Sequence, residues 1–397
     1  MINEISIHNF KSIVSLDLEL GRFNVIIGPN GCGKSNILEA ISFASAAAQN
    51  KLDYEYLVNR DVRMAEPKFM VNAFEEDEDD TETKNEISDE GLARTNLDIR
   101  IGVRSGEDLI VSRMIYHDEA KTWMNIADPL YRGLHFMINH PEELGDEKDV
   151  ILQALIESTF PTSKDVNQVK QLLERLTKSS SELNNFLTYR PTEHFLRKAF
   201  ETSIFPLGVH GEGLLKYLKE AVGEKNVALF EEINEGLFLL DWFDGFRIPD
   251  DLLTNEYRLS IGDRFLKDSL HYFDEKSTNE GFLFLLFYLT LFNSKDTPRF
   301  FAIDNIESAL NPKFMTKLTD YLVGRAFAND KQVIVTTHSP FVLDALDLSN
   351  DDVRLFVARR NIDGHTRLER IPYREDRTMK LSQLWMSGLI GGLPDNF

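Results

Sequence analysis

Eight consecutive residues, Gly28-Pro29-Asn30-Gly31-Cys32-Gly33-Lys34-Ser35, carry the spacing G-x-x-x-x-G-K-[ST] with every fixed position filled. Glycines at 28, 31 and 33 let a backbone curl until successive N–H groups converge on one anion, and a helix starting near Lys34 adds its positive end. Such a loop binds phosphate. The Lys34 ammonium then serves the β- and γ-phosphates of a nucleotide, and the Ser35 hydroxyl serves a Mg²⁺ ion. A second stretch, Arg299-Phe300-Phe301-Ala302-Ile303-Asp304, is an apolar run ending in an acid, which places a carboxylate to hold Mg²⁺ through its water shell.

Each of these groups needs an element to aim it. Phe23 to Ile27 is β-branched and apolar like a buried strand, and Asn36 to Ile41 repeats at helical spacing, so the loop reads as strand, glycine turn, helix. Ile2 to Phe10 alternates as a strand, turns at Asn9-Phe10-Lys11-Ser12 and continues as a second strand from Ile13 to Leu20. Between Lys68 and Asp118, the segments KFMVNAF, LDIRIGVRS and DLIVSRMIYHD predict an antiparallel sheet covering the loop's lobe, interrupted by an acidic run. The pattern turns helical from about Asn139 to Glu235, with Val166, Val169, Leu173 and Leu176 on one face and Leu183, Phe186 and Leu187 following. Phe282 to Phe292 is an apolar helix and Gln332 to Thr337 a further strand. The tail from Asp352 offers two short strands and a closing helix, KLSQLWMSGLIGGLPDNF.

With 397 residues the chain can form two or more packed units, and 42% hydrophobic against 27% charged residues is the balance of a globular protein. No apolar run reaches the roughly 18 residues that cross a bilayer; the longest, Gly281 to Phe292, stops at Asn293 and Ser294. Asn3, Glu4 and His8 break any apolar leader. The single cysteine, Cys32, excludes an internal disulfide and a cysteine metal cluster and points to a reducing cytoplasm. It reads as a small loop residue, with redox control at the loop as the alternative.

The net charge of −21 argues against broad attraction to nucleic acid. Ten acids and one lysine between Glu75 and Glu90 contribute −9, leaving −12 elsewhere; a solvated loop or hairpin tip is the expected form, a docking surface for a basic partner the alternative. Between Arg354 and Lys380 eight Lys or Arg face four acids, a local +4. A solvated strand pair accounts for it, and a contact for nucleic acid or an acidic partner is the sharper alternative.

The segments ISIHNFKSI and NVIIGPNGCGKSNILEAI resemble the amino-terminal half of the ATPase heads of the RecF, SMC and OLD-type ABC group. The resemblance spans nearly the whole chain and is closest to stand-alone OLD-like ATPases of the AAA-15 and AAA-21 kinds. It implies an α/β fold, a P-loop ABC-type head with a mixed sheet and an antiparallel sub-sheet, interrupted by a helical insertion. ATP and Mg²⁺ are the implied cofactors, with Asn30, Gly31, Cys32, Gly33, Lys34, Ser35, Asn36 and the upstream Lys11 at the nucleotide and Ser35 and Asp304 at the metal. Ser308-Ala309-Leu310-Asn311 is similar to the D-loop of such heads, and His338-Ser339-Pro340 resembles the switch histidine that senses the γ-phosphate. FPLGVHGEGLLKYL resembles a segment recurrent in these ATPases; its His210 reads as packed or capping, with a catalytic or sensing role as the alternative.

Two positions depart from the pattern. ABC heads follow the aspartate with a glutamate that polarises water, whereas this chain has Asn305, which orients water and cannot take its proton. Glu307 matches the second acid of the D-E-x-E pattern in the OLD-like group and could serve instead. The signature segment of such heads contacts the γ-phosphate of the opposite subunit from a helix N-terminus, and Lys276-Ser277-Thr278-Asn279-Glu280-Gly281 stands in its place. With Gly281 aligned to the family glycine, Asn279 replaces the usual serine and Ser277 is the alternative donor. Slow hydrolysis is expected. About 100 central residues without sustained heptads exclude long SMC-type arms, and no Toprim nuclease domain is recognisable.

The expected organisation is an N-terminal ATPase lobe over 1–138, a helical insertion over 139–235 and a C-terminal ATPase lobe over 236–397. The expected function is ATP binding and slow hydrolysis that switches an assembly. By resemblance, ATP is sandwiched in a homodimer or higher homo-oligomer that controls a separately encoded effector, a nuclease or toxin, in bacterial anti-phage defence. A RecF-like repair ATPase and a non-hydrolysing ATP-binding scaffold are the rival readings. A transporter subunit is disfavoured because Lys34 and Asp304 lie about 270 residues apart (304 − 34).

Overall fold

The computed structural model describes residues 1–74, 97–106, 108–126, 182–223, 226–250, 252–253, 256–267, 270 and 272–393. The acidic run from Glu75 and the helical face of Val166, Val169, Leu173 and Leu176 lie outside the described residues.

Two sheets and a layer of helices carry the chemistry. Strands β1 (Glu4–Phe10), β2 (Ile13–Glu19), β4 (Asp98–Ser105), β5 (Asp108–His117) and β6 (Thr122–Asn125) form an antiparallel sheet in the order β2-β1-β4-β5-β6. Their alternation is the sequence-level pattern made physical: Ile5, Ile7, Ile99, Ile101 and Met114 are buried against the helix that follows the glycine loop. The expected strand at KFMVNAF is instead a short helix, Pro67–Met70, and an irregular stretch to Phe74. Pro67 at the first helical position fixes φ where a helix begins, so the turn wins over the alternating pattern.

The second sheet has the order β13-β12-β3-β11-β10-β7, built from β3 (Phe23–Ile27), β7 (Thr188–Tyr189), β10 (Phe300–Ile303), β11 (Gln332–Thr337), β12 (Val353–Arg360) and β13 (Thr366–Ile371). All neighbours are parallel except β13, which returns antiparallel to β12. Both faces are covered, which is why β3, β10 and β11 are buried at every residue rather than at alternate ones. Phe23, Val25 and Ile27 face one core and Ile26 the other. The sheet therefore divides the core into two layers.

Helix α1 (Lys34–Ala48) packs between the two sheets, while α5 (Leu214–Gly223), α6 (Val227–Leu237), α7 (Glu280–Asn293) and α8 (Pro312–Ala328) cover the other face. Among the described residues between α1 and α5 lie the short helices α2 (Tyr54–Val58), α3 (Pro67–Met70) and α4 (Glu193–Leu196). Helix α7 is buried from Phe282 to Asn293, so the longest apolar run of the sequence is a core helix. Each of its large side chains contributes about 2 kcal/mol by burial. No helix among the described residues is long and apolar enough to cross a membrane. The hairpin of β8 (Phe243–Arg247) and β9 (Ser260–Asp263) packs its Phe243 on Phe282 of α7.

The stretch assigned to a helical insertion ends inside this architecture. Leu183 and Phe186 are core residues, β7 pairs with β10, and α6 runs across position 235. The tail forms β12, β13 and a closing helix α10 (Leu381–Met386), preceded by α9 (Pro340–Leu343).

Candidate nucleotide and metal site

Four parallel strands end on the same side, and each leads directly into a side chain or loop of the candidate site. Gly28 follows β3, Asp304 follows β10, His338 follows β11 and Arg190 follows β7. This is where open parallel sheets place their ligand crevice.

The glycine loop is held in shape from behind. Gly28 has φ 153° and a Cβ there would lie 2.3 Å from the Ala358 carbonyl oxygen; Gly33 has φ 101° and its Cβ would lie 2.0 Å from Thr366 Oγ1. Only glycine fits at either position. The Thr366 hydroxyl donates to the Cys32 carbonyl (3.0 Å) and lies 2.7 Å from Ser12 Oγ, which in turn accepts from the Asn36 amide (2.7 Å). Asn30 and Gly31 are at the tip, Gly31 exposed and Asn30 among the turn residues beside it. Gly33 is the N-cap of α1 without a side-chain cap, and no acidic residue lies in the first turn. The N-terminal N–H groups of this helix thus suit an anion.

Lys34 lies back across the loop, donating to the carbonyls of Gly28 (2.8 Å) and Pro29 (3.0 Å). Burial lowers its pKa, and Cys32, Asp304 and Glu307 oppose that shift. Cys32 is buried, and burial pushes its thiol up despite the neighbouring Lys34. That favours the small-residue reading over redox control.

Asp304 is a heavily bonded side chain at the centre of the site. One oxygen accepts from the Thr336 hydroxyl; the other, Oδ2, accepts from Ser35 Oγ (3.0 Å) and from Arg190 Nε (3.0 Å) and Nη2 (2.5 Å). Burial alone would raise its pKa, but Thr336 and Arg190 reverse this and hold it below the ordinary carboxylate value. Ser35 Oγ and the Asp304 carboxylate, 3.0 Å apart, form the oxygen-only donor set that Mg²⁺ prefers.

Asn305 adopts φ 57°, a left-handed conformation that asparagine tolerates better than glutamate. Its N–H donates to Thr336 Oγ1 (2.9 Å). Glu307 accepts from Thr337 Oγ1 (2.8 Å) and from the His338 N–H (2.8 Å), which ties it to the end of β11 beside the switch-like histidine. Burial, followed by the Lys34 charge, lowers the pKa of His338, which favours its neutral imidazole.

The structure thus brings Lys34, Ser35, Asp304, Glu307 and His338 together. Lys11 is placed otherwise: its ammonium pairs with Glu39 of α1 and donates to the Arg63 carbonyl (2.9 Å). Asn36 bridges Ser12 and the Arg63 guanidinium (3.0 Å). In the signature-like segment, Asn279 caps α7 by accepting from the Phe282 N–H (2.9 Å), and Ser277 Oγ donates to Asp274 (2.8 Å). A Cβ at Gly281 would lie 3.4 Å from the Ala309 carbonyl, so this segment backs onto the D-loop-like turn. His210 stacks on Phe195 with ring centroids 5.8 Å apart and has Nδ1 3.2 Å from the Arg190 carbonyl, a packed and bonded placement.

Sequence reasoning missed Arg190, Asp61, Thr336, Thr366 and Arg197. Arg190 ends the apolar run Phe186–Tyr189 just before Pro191, the same apolar-then-charged signal that marked Asp304, but β7 has two residues and shows no periodicity. Arg197 donates to the carbonyls of Glu275 (2.5 Å), Lys276 (3.1 Å) and Thr278 (3.2 Å), fixing the signature-like segment from the chain that leaves β7. Nothing local in sequence announces such a contact.

Among solved structures the chain is similar to an SMC head bound to the C-terminal winged-helix domain of ScpA, with 14% identity, a TM-score of 0.53 and coverage of 94% of this chain and 98% of that one. An SMC head domain from Thermotoga maritima has 14% identity and a TM-score of 0.47 over 94% and 99% of the two chains. An SMC head with an extended coiled coil, bound to the C-terminal domain of ScpA from Pyrococcus furiosus, has 13% identity and a TM-score of 0.49 over 94% and 96%. At these identities the likeness concerns the fold alone, an α/β ABC-type head, and the first structure carries it. No protein of curated function matches the chain. Residues 226–344 match the family model described as "AAA domain, putative AbiEii toxin, Type IV TA system". Residues 1–207, just over half of the 397, match the AAA_15 model, an AAA ATPase domain, and the chain belongs to that family.

Proposed function

We propose that this chain binds ATP with Mg²⁺ and hydrolyses it slowly, acting as a nucleotide-controlled switch. The observation that carries this reading is the convergence of Lys34, Ser35, Asp304, Glu307 and His338 at the carboxyl ends of β3, β10 and β11. Lys34 and the first turn of α1 would receive the phosphates, and Ser35 and Asp304 would hold the metal, which when bound supplies charge neutralisation on the phosphate oxygens. Glu307 is the group able to accept a proton from water, and Asn305 can orient water. Neutral His338 is suited to a hydrogen bond with a terminal phosphate oxygen. Slow turnover follows from Asn305 in place of an acid and from Glu307 being already engaged by two donors.

The family resemblance supports an ATP sandwich between two copies, in which Ser277, Asn279 and Gly281 of one subunit face Lys34, Asp304 and His338 of the other. Asn279 has its side-chain oxygen committed to the helix cap, which leaves its amide as the donor. On this reading the switch controls a separately encoded nuclease or toxin in anti-phage defence, consistent with the toxin–antitoxin description of the model matching residues 226–344.

Calorimetry with ATP and Mg²⁺ tests the site. Lys34→Ala is expected to weaken binding on the order of 100-fold while leaving the thermal unfolding midpoint within a few degrees, because it removes one charge-assisted phosphate contact from a loop. Equal affinity in the two proteins overturns the site. Light scattering of the same samples tests the sandwich: with nucleotide bound, a species that stays monomeric at micromolar concentration excludes it.

A further inference from the structure

Arg190 is a strong cation at the site to which ATP binding and hydrolysis assign no task. Its backbone is pinned on both sides, the N–H donating to the Val209 carbonyl (2.7 Å) and the carbonyl lying 3.2 Å from His210 Nδ1. Its side chain is less constrained, being 30% exposed, and it bridges two carboxylates: Nη2 is 2.5 Å from Asp304 Oδ2 and Nη1 is 2.6 Å from Asp61 Oδ2. Asp61 sits in a left-handed turn at φ 58° just after α2, so the guanidinium is held by two carboxylates from separate elements.

Oδ2 of Asp304 already accepts three donor hydrogens, two of them from Arg190 and one from Ser35, the other expected metal-side group. A carboxylate oxygen in that condition has no lone-pair direction left for a divalent cation or for one of its bound waters. A guanidinium at this distance also repels a second cation electrostatically. We propose that Arg190 competes with the divalent cation for Asp304 Oδ2, and that Asp61 is the carboxylate that keeps the guanidinium when it gives Asp304 up. Arg190 is then a gate that couples metal loading to the release of an ion pair, and the arginine freed from Asp304 stays within the site. The gate rests on the reading of Lys34, Ser35 and Asp304 as the Mg²⁺–nucleotide site.

The test monitors binding of a fluorescent ATP analogue by the full chain as Mg²⁺ is titrated, and reads the half-saturating Mg²⁺ concentration. Arg190→Gln is expected to lower it by about tenfold, the scale of one charge pair discounted for solvent screening. Asp61→Asn is expected to raise it severalfold, because Arg190 then loses the carboxylate that shares its guanidinium with Asp304 and would keep it once Asp304 is given up. Asp61→Asn added to Arg190→Gln is expected to change nothing further, since Asp61 acts through the arginine. An unchanged midpoint in Arg190→Gln, or shifts of the same sign in both single variants, overturns the gate while nucleotide binding that still depends on Lys34 leaves the site standing. Wild-type protein that binds no nucleotide at any Mg²⁺ concentration overturns site and gate together. Where Arg190→Gln fails to fold, Arg190→Lys, which keeps a charge but loses the two-nitrogen contact with Asp304 Oδ2, takes its place in the same cycle with Asp61→Asn and is expected to lower the midpoint.

Discussion

At the carboxyl ends of the parallel strands Arg190 is held by two carboxylates, whereas at the amino ends Lys331 is held by neutral oxygens. Lys331 is 2% exposed, and its ammonium donates to the carbonyls of Ser294 (2.7 Å) and Thr297 (3.0 Å) and to the Thr297 hydroxyl (2.8 Å). Around it neutral pairs lie beside the ion pairs that Asp330 makes with Arg22 (2.8 Å) and with Arg299. The Gln332 side chain donates to the carbonyls of Ile2 (2.6 Å) and Gly21 (2.9 Å) and accepts from the Ile2 N–H (2.9 Å), and the Asn24 amide donates to Gly21 (2.9 Å) and Val333 (3.1 Å). The two cations respond oppositely. Burial would lower the Arg190 pKa, but Asp304 and Asp61 raise it above the usual value; Lys331, with burial and the Arg299 charge against it, is pushed down to about 8. One end of the sheet thus holds charges whose partners, on the proposed reading, a phosphate or metal would replace. The other end holds a lysine caged by backbone carbonyls and one hydroxyl.

The largest effect that distinguishes the two ends concerns chemistry. Glu307→Gln is expected to lower phosphate release by about 10²- to 10³-fold, the range for loss of a general base, while Asn305→Ala lowers it by about tenfold or less. Both variants should bind ATP as the parent does, because neither residue belongs to the phosphate loop. A single-turnover assay with radiolabelled ATP checks the order of the two; if Asn305→Ala has the larger effect, Glu307 is not the base. If the parent protein itself releases no phosphate, the scaffold reading replaces the slow ATPase.

How much of this difference could be read from sequence depends on how local its cause is. Gly28 to Ser35 announces itself because a phosphate loop is one contiguous turn, and Asp304 because a fully buried strand has to end before a charge appears. The order β12-β3-β11-β10-β7, by contrast, is set by pairings between distant segments and becomes visible only in the folded chain. Arg190 was hidden because its strand is two residues long and its partners, Asp61 and Asp304, are 129 and 114 positions away (190 − 61; 304 − 190). Lys11, which the resemblance put at the nucleotide, has its ammonium paired with the buried Glu39 of α1, a contact nothing local in the sequence announces. In sequence, Lys331 looks like an ordinary turn residue after α8. Only the convergence of the loop from Ser294 to Pro298 on the start of β11 makes it a buried cap.

A stability measurement sharpens the comparison at the amino end. Lys331→Met keeps most of the length and the apolar stem of the side chain but takes the ammonium donor from the carbonyls of Thr297 and Pro298, while the Ser294 carbonyl keeps the Thr297 hydroxyl as a donor. The expected cost is about 2 to 3 kcal/mol in urea unfolding, the penalty for stranding buried acceptors. Nucleotide affinity should not change. A variant as stable as the parent would mean that the cage does not depend on the ammonium.

The smallest effect is the pH dependence of that same site, and its sign comes from proton counts. In the unfolded chain Lys331 titrates near 10.5, whereas in the folded chain it titrates near 8, so between those values the unfolded state binds the extra proton. Stability conferred through this group therefore rises with pH across that window, by at most about 1.4 kcal/mol per pH unit. Arg190 and Asp304 contribute no comparable slope there, since the guanidinium stays charged and the carboxylate, held below its usual value, was ionised long before. Other groups titrate in the same range, so the informative quantity is the difference between parent and Lys331→Met, measured at about pH 7.5 and about pH 9.5. The gap should widen with pH by roughly 1 to 2 kcal/mol. A gap that narrows would show the ammonium gaining more from its carbonyl cage than burial takes away, which would place its folded pKa above 10.5 and make the amino end a cation site as firmly charged as Arg190.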